Sequence, residues 1–136
     1  MRAVLAVFVL AFVLSACGST APRDSAEQFG GAEKAVAAAV EGMETAAREG
    51  DPERFCTQLL SANLLDRLKQ QGTTCTTAVR EAFRDASSKD LTVEDVSISG
   101  DTATARITSG SGSNEKSDTL QLEKVGAGWK IASLQS

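Results

Sequence analysis

Three cysteines and 18 acidic residues are the side chains of this 136-residue sequence that could do chemistry. A thiolate is a nucleophile or a metal ligand, and a carboxylate can act as a general acid or base. The sequence contains no His and no Tyr. Because His is the commonest general base and metal ligand, its absence excludes Ser-His and Cys-His nucleophilic sites and His-ligated zinc or iron. We therefore expect no enzyme, no cofactor and no metal site.

The charge balance argues against a nucleic-acid partner. The formal net charge is −4, and the 14 Lys and Arg residues are scattered along the chain. A surface that binds nucleic acid clusters its cations to neutralise phosphates. We expect no binding to nucleic acid.

The N-terminus has the pattern of a secretory signal. Met1 and Arg2 give a positive start, and Ala3 to Leu14 is an unbroken apolar run of twelve residues. Such a run fits the apolar region of a signal peptide and is shorter than the ~20 residues of a membrane-spanning helix. Ordinary signal cleavage favours small residues three and one before the cut, and Leu14 occupies the first of these positions before Cys17. Plain secretion is therefore disfavoured.

The end of this run, Leu14-Ser15-Ala16-Cys17, resembles the lipobox of bacterial lipoproteins. The resemblance implies cleavage before Cys17, a diacylglyceryl thioether on its sulfur, and a lipid-anchored protein on the extracytoplasmic face of the cell membrane. Each buried acyl CH₂ contributes roughly 0.8 kcal/mol, so two or three chains hold a small domain on a membrane almost permanently. The alternative is that Cys17 is an ordinary thiol after a membrane anchor or a general secretion signal.

The rest of the chain has room for one domain. Residues 18–31 are rich in Gly, Ser, Thr, Pro and charged residues, which is typical of a flexible tether. We therefore expect three parts: a signal peptide over residues 1–16, a tether over residues 17–31, and a single domain over residues 32–136. A tether of about 14 residues would hold the domain roughly 20 Å from the bilayer.

Assigning Cys17 to lipid leaves Cys56 and Cys75, an even number in an exported chain. An oxidising compartment favours a disulfide between them. The competing interpretation is a reactive or metal-binding pair, but the spacing is not C-x-x-C and no His or further Cys supplies ligands. A structural disulfide is therefore the favoured interpretation.

Helical patterns fill the first half of the domain. Residues 32–49 have Val36, Val40 and Met43 on one face, and Gly50 suits the left-handed C-cap. Asp51, Pro52 and Glu53 are typical of the start of a second short helix, which carries Phe55, Cys56, Leu59 and Leu60. Ser61 can cap a third helix with Leu64, Leu65 and Leu68 on its apolar face, ending near Gly72. Thr73 or Thr74 can cap a fourth, which carries Cys75, Val79, Phe83 and Ala86.

From Leu91 the apolar period changes to two, which predicts strands. Gly100-Asp101 predicts a hairpin turn, residues 109–114 a flexible loop, and residues 126–128 a second turn before Trp129. Four antiparallel strands with one apolar face need a cover, and the amphipathic helices can supply it. The class is therefore α+β.

This order of elements resembles the NTF2-like superfamily, a cone-shaped fold in which N-terminal helices pack on a curved antiparallel sheet. The residues that carry the resemblance are Glu49-Gly50-Asp51-Pro52, Ser99-Gly100-Asp101-Thr102-Ala103-Thr104 and Gly128-Trp129-Lys130-Ile131. With the lipobox, the tether and the Cys pair, the chain looks like the small NTF2-like lipoproteins of actinobacteria.

Catalytic relatives in that superfamily place an Asp with a Tyr or a His inside the cone, and this sequence has neither partner. Asp66, Asp85, Asp95 and Asp118 remain, but each is explained as a solvated helix or turn residue. No catalytic base is expected among them.

The resemblance implies a cone whose open end can hold a ligand. We expect a non-catalytic domain that binds a small apolar ligand or an envelope partner. The residues that would line the cavity are Phe55, Leu59, Phe83, Leu120, Leu122 and Trp129, and the competing interpretation is that they are simply the core. One alternative function is an enzyme of the SnoaL or isomerase type with a lone carboxylate. Another is a docking or homodimer face that carries Thr102, Thr104, Arg106 and Thr108.

Overall fold

The computed structural model describes residues 25–85, 90–110 and 112–135, and these form one layer of helices on one sheet. The helices are α1 (Gly31–Glu49), α2 (Pro52–Arg54), α3 (Ala62–Gln70) and α4 (Cys75–Asp85). A π-helical turn, Phe55–Leu59, continues α2, and 3₁₀ turns lie at Ser25–Gln28 and Gly112–Asn114. The strands are β1 (Leu91–Ser99), β2 (Thr102–Ser109), β3 (Lys116–Val125) and β4 (Gly128–Gln135). The predicted α+β class is confirmed.

Local sequence signals set the ends of the helices. Gly50 ends α1 in the left-handed conformation at φ 66° and donates its N–H to the carbonyls of the last turn. The Asp51 carboxylate accepts from the N–H of Arg54 at 2.9 Å and caps α2. The buried Ser61 hydroxyl caps α3 in the same way, accepting from Leu64 at 3.3 Å. The predicted caps at Gly50, Asp51 and Ser61 are confirmed.

The sheet is an antiparallel meander in the order β1-β2-β3-β4. The face covered by α1 carries the core side chains of β2, β3 and β4, namely Ala103, Ala105, Ile107, Leu120, Leu122, Trp129 and Ile131. The register shifts between Val93 and Asp95 and again between Gln121 and Leu122. Such bulges bend a strand and increase its twist, so they curve the sheet around the helices.

The edge of β4 that does not pair with β3 is covered by the backbone between the π-helical turn and α3. Leu60 is extended and forms a parallel bridge with Ile131, and the Ser61 N–H donates to the Ile131 carbonyl at 2.9 Å. The Arg67 guanidinium donates to the carbonyl of Ala132. The second predicted helix therefore ends at Leu59, because Leu60 is extended and pairs with β4 through this single bridge. Covered edges do not pair with other chains.

Residues 25–31 belong to the folded domain, so the tether predicted over residues 17–31 is wrong for these residues. Ser25 and Ala26 are buried, and Phe29 packs against the core. The Ser25 hydroxyl accepts from the Val93 N–H at 3.1 Å, and the Gln28 side-chain amide donates to the Val93 carbonyl at 2.7 Å. We call residues 25–29 the N-terminal strap. It covers the edge of β1 at Val93, which the composition of the segment does not reveal.

Glu41 of α1 holds the strap in place. One of its carboxylate oxygens accepts from the Ala26 N–H at 2.6 Å and from the Ser25 hydroxyl at 3.2 Å. The strap is therefore joined to both layers of the domain, through Glu41 to α1 and through Val93 to the sheet. The remaining predicted tether and the predicted signal peptide lie outside the described residues. No helix in the described part of the chain is both long and apolar enough to cross a membrane.

Candidate functional site

The six residues predicted to line a cavity belong to one apolar cluster but differ in exposure. Leu120 and Leu122 of β3 are 0% and 1% exposed. Phe55 and Trp129 are each 9% exposed. Leu59 and Phe83 are only partly buried and pack against this core from the helical side. The buried four are accounted for as core residues, so the surface that a ligand could reach is at Leu59 and Phe83.

Three leucines of α3 share the partial exposure of Leu59 and Phe83. We call this set the helical apolar layer: Leu59, Leu64, Leu65, Leu68 and Phe83. No residue of α3 is fully buried, although its leucines pack against the core. The spacing of these leucines predicts an apolar helix face, but nothing in it distinguishes partial from full burial. That difference depends on how far α3 stands from the sheet, which sequence periodicity does not encode.

The π-helical turn packs closely on α1 beside this layer. A Cβ atom added to Gly42 of α1 would lie 3.0 Å from a methyl carbon of Leu59. The missing side chain of Gly42 therefore makes room for Leu59. This contact fixes the depth at which the turn, and with it Phe55 and Cys56, lies against the domain.

A disulfide joins this turn to α4. Cys56 and Cys75 are bonded with their Cα atoms 6.0 Å apart, so the predicted pairing is present in the structure. Cys56 is 5% exposed, whereas Cys75 at the start of α4 is only partly buried. Eight residues further along α4, the ring of Phe83 meets the ring of Phe55 edge to face, with centroids 5.4 Å apart. The fourth helix is thus fastened to the turn at both ends.

Glu44 is a buried carboxylate that the sequence does not single out. It is 6% exposed and lies on α1 toward the start of β1. Burial raises the pKa of Glu44, while the Arg48 guanidinium at 2.7 Å and a hydrogen bond from the Leu91 backbone act in the opposite direction. Arg48 also contacts the carboxylate of Asp90. Glu44 is therefore engaged in joining α1 to the first residues of β1.

The four carboxylates considered as candidate bases are not brought together. Asp66 and Asp95 are exposed, Asp66 pairs with Lys69 at 3.2 Å, and Asp118 is half-buried on β3. The side chain of Asp85 lies outside the described residues. Within the described ranges, no group of three or more acidic or Cys side chains could hold a metal ion.

The predicted docking face is the outer face of the sheet. Thr102, Thr104 and Arg106 are exposed on β2, and Thr108 is half-buried and donates to Glu94 at 3.1 Å. Neighbouring strands continue this polar face, and Ser133 donates to Gln121 at 3.0 Å across β3 and β4. The described part of this face is mostly polar, with the exposed Val125 at the end of β3 as an apolar exception, and the face lies opposite the helical apolar layer. The predicted docking role of this face stays a prediction.

Comparisons with known proteins give one structural similarity. No family model matches the chain, and no curated protein matches it. Among solved structures, the chain is similar to a protein described as the de novo designed NTF2 fold protein NT-9. The similarity covers 77% of this chain and 82% of that chain, with 17% sequence identity and a TM-score of 0.44. The α+β class rests on the helices and strands described above.

Proposed function

We propose that this chain is an extracytoplasmic lipoprotein whose NTF2-like domain, without catalysis, binds a small apolar ligand at the helical apolar layer. The proposed anchor is the diacylglyceryl group on Cys17, and residues 18–24 lie between it and the N-terminal strap. The order of helices followed by a four-stranded meander supports the NTF2-like assignment. The single observation that supports ligand binding is the partial exposure of five apolar side chains on the π-helical turn, α3 and α4, all of which pack against the core.

The anchor is tested by metabolic labelling of cells with a palmitate analogue. The wild-type chain is expected to carry the label, and Cys17→Ala is expected to lose it. A Cys56→Ser/Cys75→Ser double variant is the matched control, because it also removes thiols but leaves the lipobox intact, and it should retain the label. An unlabelled wild-type chain contradicts the anchor.

The ligand site follows from the energetics of apolar surface. Removing apolar surface from water is favourable by about 25 cal/mol per Å², so a ligand that covers the layer is stabilised in its complex. Leu64, Leu65 and Leu68 lie on the same face of α3, because residues three and four apart are neighbours on a helix. Phe83 adds an aromatic surface from α4. A small ligand with an apolar body fits a surface of this kind.

Binding is tested on the chain from Gly18 onward, which contains every described residue. An environment-sensitive naphthalene-sulfonate dye and a panel of fatty acids serve as probes. Leu68→Asn is expected to weaken dye binding at least tenfold, because it places an amide in the layer. Val125→Asn is the matched control, since Val125 is 46% exposed on a hairpin of the sheet, and it should leave binding unchanged. Equal binding by both variants, or no binding by any probe, contradicts this site.

An enzymatic function has one feature that could favour it, the buried carboxylate of Glu44. Its ion pair with Arg48 and the Leu91 hydrogen bond account for that burial as a connection between α1 and β1. A general base needs access to the proton that it removes. We therefore do not assign Glu44 a catalytic role.

A further inference from the structure

A small set of side chains attaches α4 to the rest of the domain. The helix packs against α2, the π-helical turn and α3. Val79 is its buried apolar residue, at 8% exposure, and Phe83 is partly buried against Phe55. A further link is the covalent bond between Cys75 and Cys56. Among the described residues, two apolar side chains and one disulfide are therefore the main attachments of this helix.

The residues under α4 are buried. Phe55 and Cys56 are 9% and 5% exposed, and both contact α4 directly, through Phe83 and through the disulfide. Phe55 begins the same turn that ends at Leu59 of the helical apolar layer. Lifting α4 would therefore expose Phe55 and enlarge the apolar surface next to Leu59.

We propose that α4 is a redox-controlled lid, held shut by the Cys56–Cys75 disulfide and released when a dithiol reductant cleaves that bond. Release of the lid exposes Phe55 and so adds apolar surface next to Leu59 of the helical apolar layer. The role in ligand entry rests on the proposed ligand-binding function, whereas the release of the helix can be measured without any ligand.

The chemistry is a thiol–disulfide exchange with a dithiol. A thiolate of the reductant attacks the sulfur of Cys75, which belongs to the more exposed residue of the pair, and Cys56 leaves as a thiolate that takes up a proton. The second thiol of the reductant then attacks the mixed disulfide and frees Cys75. Two electrons pass to the protein disulfide, and the reductant is left as its own disulfide.

Physical reasons favour local release over general unfolding. The lid helix has 11 residues, and isolated helices shorter than about 12–15 residues are marginal in water. The sheet and α1 hold their own core, which includes Val36, Val40 and Leu120 at 0% exposure. Proteins open in such cooperative units, with the least buried unit opening first.

The test compares oxidised and dithiothreitol-reduced protein, again as the chain from Gly18 onward. Amide hydrogen exchange over residues 75–85 is expected to speed up at least tenfold on reduction, while Leu120 and Leu122 stay protected. Alkylation of Cys56 by a maleimide should then be nearly as fast as that of Cys75. Unchanged exchange in α4 with a protected Cys56 overturns the lid. Loss of protection in β3 also overturns it, because the whole domain would then have unfolded.

A pair of variants on α4 separates the lid contacts from general effects on the helix. Phe83→Ala removes the ring that meets Phe55 and is expected to speed amide exchange over residues 75–85 in the oxidised protein, where α4 is still closed. Glu81→Ala, at an exposed position of the same helix, should have no such effect. Equal rates in both variants contradict a lid held by Phe83.

Stopped-flow binding of the naphthalene-sulfonate dye then tests the role in ligand entry. Faster association after reduction, with an open α4, supports it. Equal association rates in both redox states, with α4 shown to open, overturn the gating role and leave the proposed function standing. Absence of dye binding in both states overturns the proposed function, while hydrogen exchange still decides whether the lid opens.

Discussion

At the scale of single residues, the titration of Glu44 makes the unfolding free energy depend on pH. Burial raises its pKa above the ordinary value of 4.5, so the folded state keeps this proton at pH values where the unfolded chain has released it. The contribution of Glu44 to the unfolding free energy is therefore fully present below pH 4.5 and is lost as the pH rises through the raised value. Above that value the buried charge remains a constant cost, which its ion pair with Arg48 offsets in part.

Glu44→Gln removes this titration. Urea unfolding from pH 4.5 to pH 7 is expected to show the stability of the wild type falling relative to the variant as the pH rises. Glu33→Gln, at an exposed position of the same helix, should give a curve parallel to that of the wild type. A constant difference between wild type and Glu44→Gln would mean that the pKa is not raised.

Two glycines in the connection between β2 and β3 allow the cost of backbone strain to be measured apart from the cost of steric overlap. Both have positive φ, 84° for Gly110 and 60° for Gly112. A Cβ at Gly110 would lie 2.6 Å from the carbonyl oxygen of Asn114, whereas one at Gly112 has no neighbour within 4 Å. Gly112→Ala should cost about 1–2 kcal/mol for the left-handed conformation alone. Gly110→Ala should cost roughly 1–3 kcal/mol more, as measured by urea unfolding, and equal costs would contradict the overlap.

At the scale of elements, the N-terminal strap is the part whose structure departs furthest from its sequence pattern. The turns at Gly100-Asp101 and Gly126-Ala127 are local signals, and the strands that they join are predicted correctly. The strap is stabilised by Glu41 and Val93, which are 16 and 68 residues from Ser25 in sequence. The sequence of the strap itself gives no sign of partners so distant. The bulges and the covered edge of β4 are hidden for the same reason.

Ser25→Ala tests the strap. It leaves the Val93 N–H without its acceptor, and a buried unsatisfied donor costs roughly 1–3 kcal/mol. Hydrogen exchange at the Val93 amide is expected to accelerate at least tenfold. Glu27→Ala is the control, because Glu27 is exposed and its ion pair with Lys34 is exposed as well, so the Val93 amide should keep its protection. Slow exchange in Ser25→Ala would show that the strap is not needed at this edge.

At the scale of the whole molecule, both the disulfide and the apolar core contribute to the unfolding free energy. The bond closes a sequence separation of 19 residues, for which restriction of the unfolded chain predicts roughly 3 kcal/mol. That is a large fraction of the total unfolding free energy of a small domain, which is roughly 5–15 kcal/mol. The Cys56→Ser/Cys75→Ser variant should lose about this amount in urea unfolding without reductant. A loss within experimental error of zero would contradict this contribution.

The candidate site, like the fold, can be predicted from the sequence only in part. Phe55, Leu120, Leu122 and Trp129 are recognisable as apolar and inward-facing from alternation and helical period, and all four are buried. Their sequence pattern does not say whether they face a ligand or each other. The leucines of α3 are partly exposed although they pack against the core, and helical period alone does not distinguish them from fully buried residues. Neither the ligand nor a homodimer through the outer face of the sheet follows from periodicity.

The strap determines how the domain would carry a mechanical load. Hydrogen bonds from Ser25 to Glu41 and Val93 join α1 to β1. Seven residues separate Ser25 from Cys17, and a fully extended chain of that length reaches about 25 Å. If Cys17 carries the proposed anchor, a pull between membrane and domain would pass through these hydrogen bonds. The proposed anchor would then be attached on the β1 side of the domain, and the helical apolar layer would lie on the β4 side, away from that attachment.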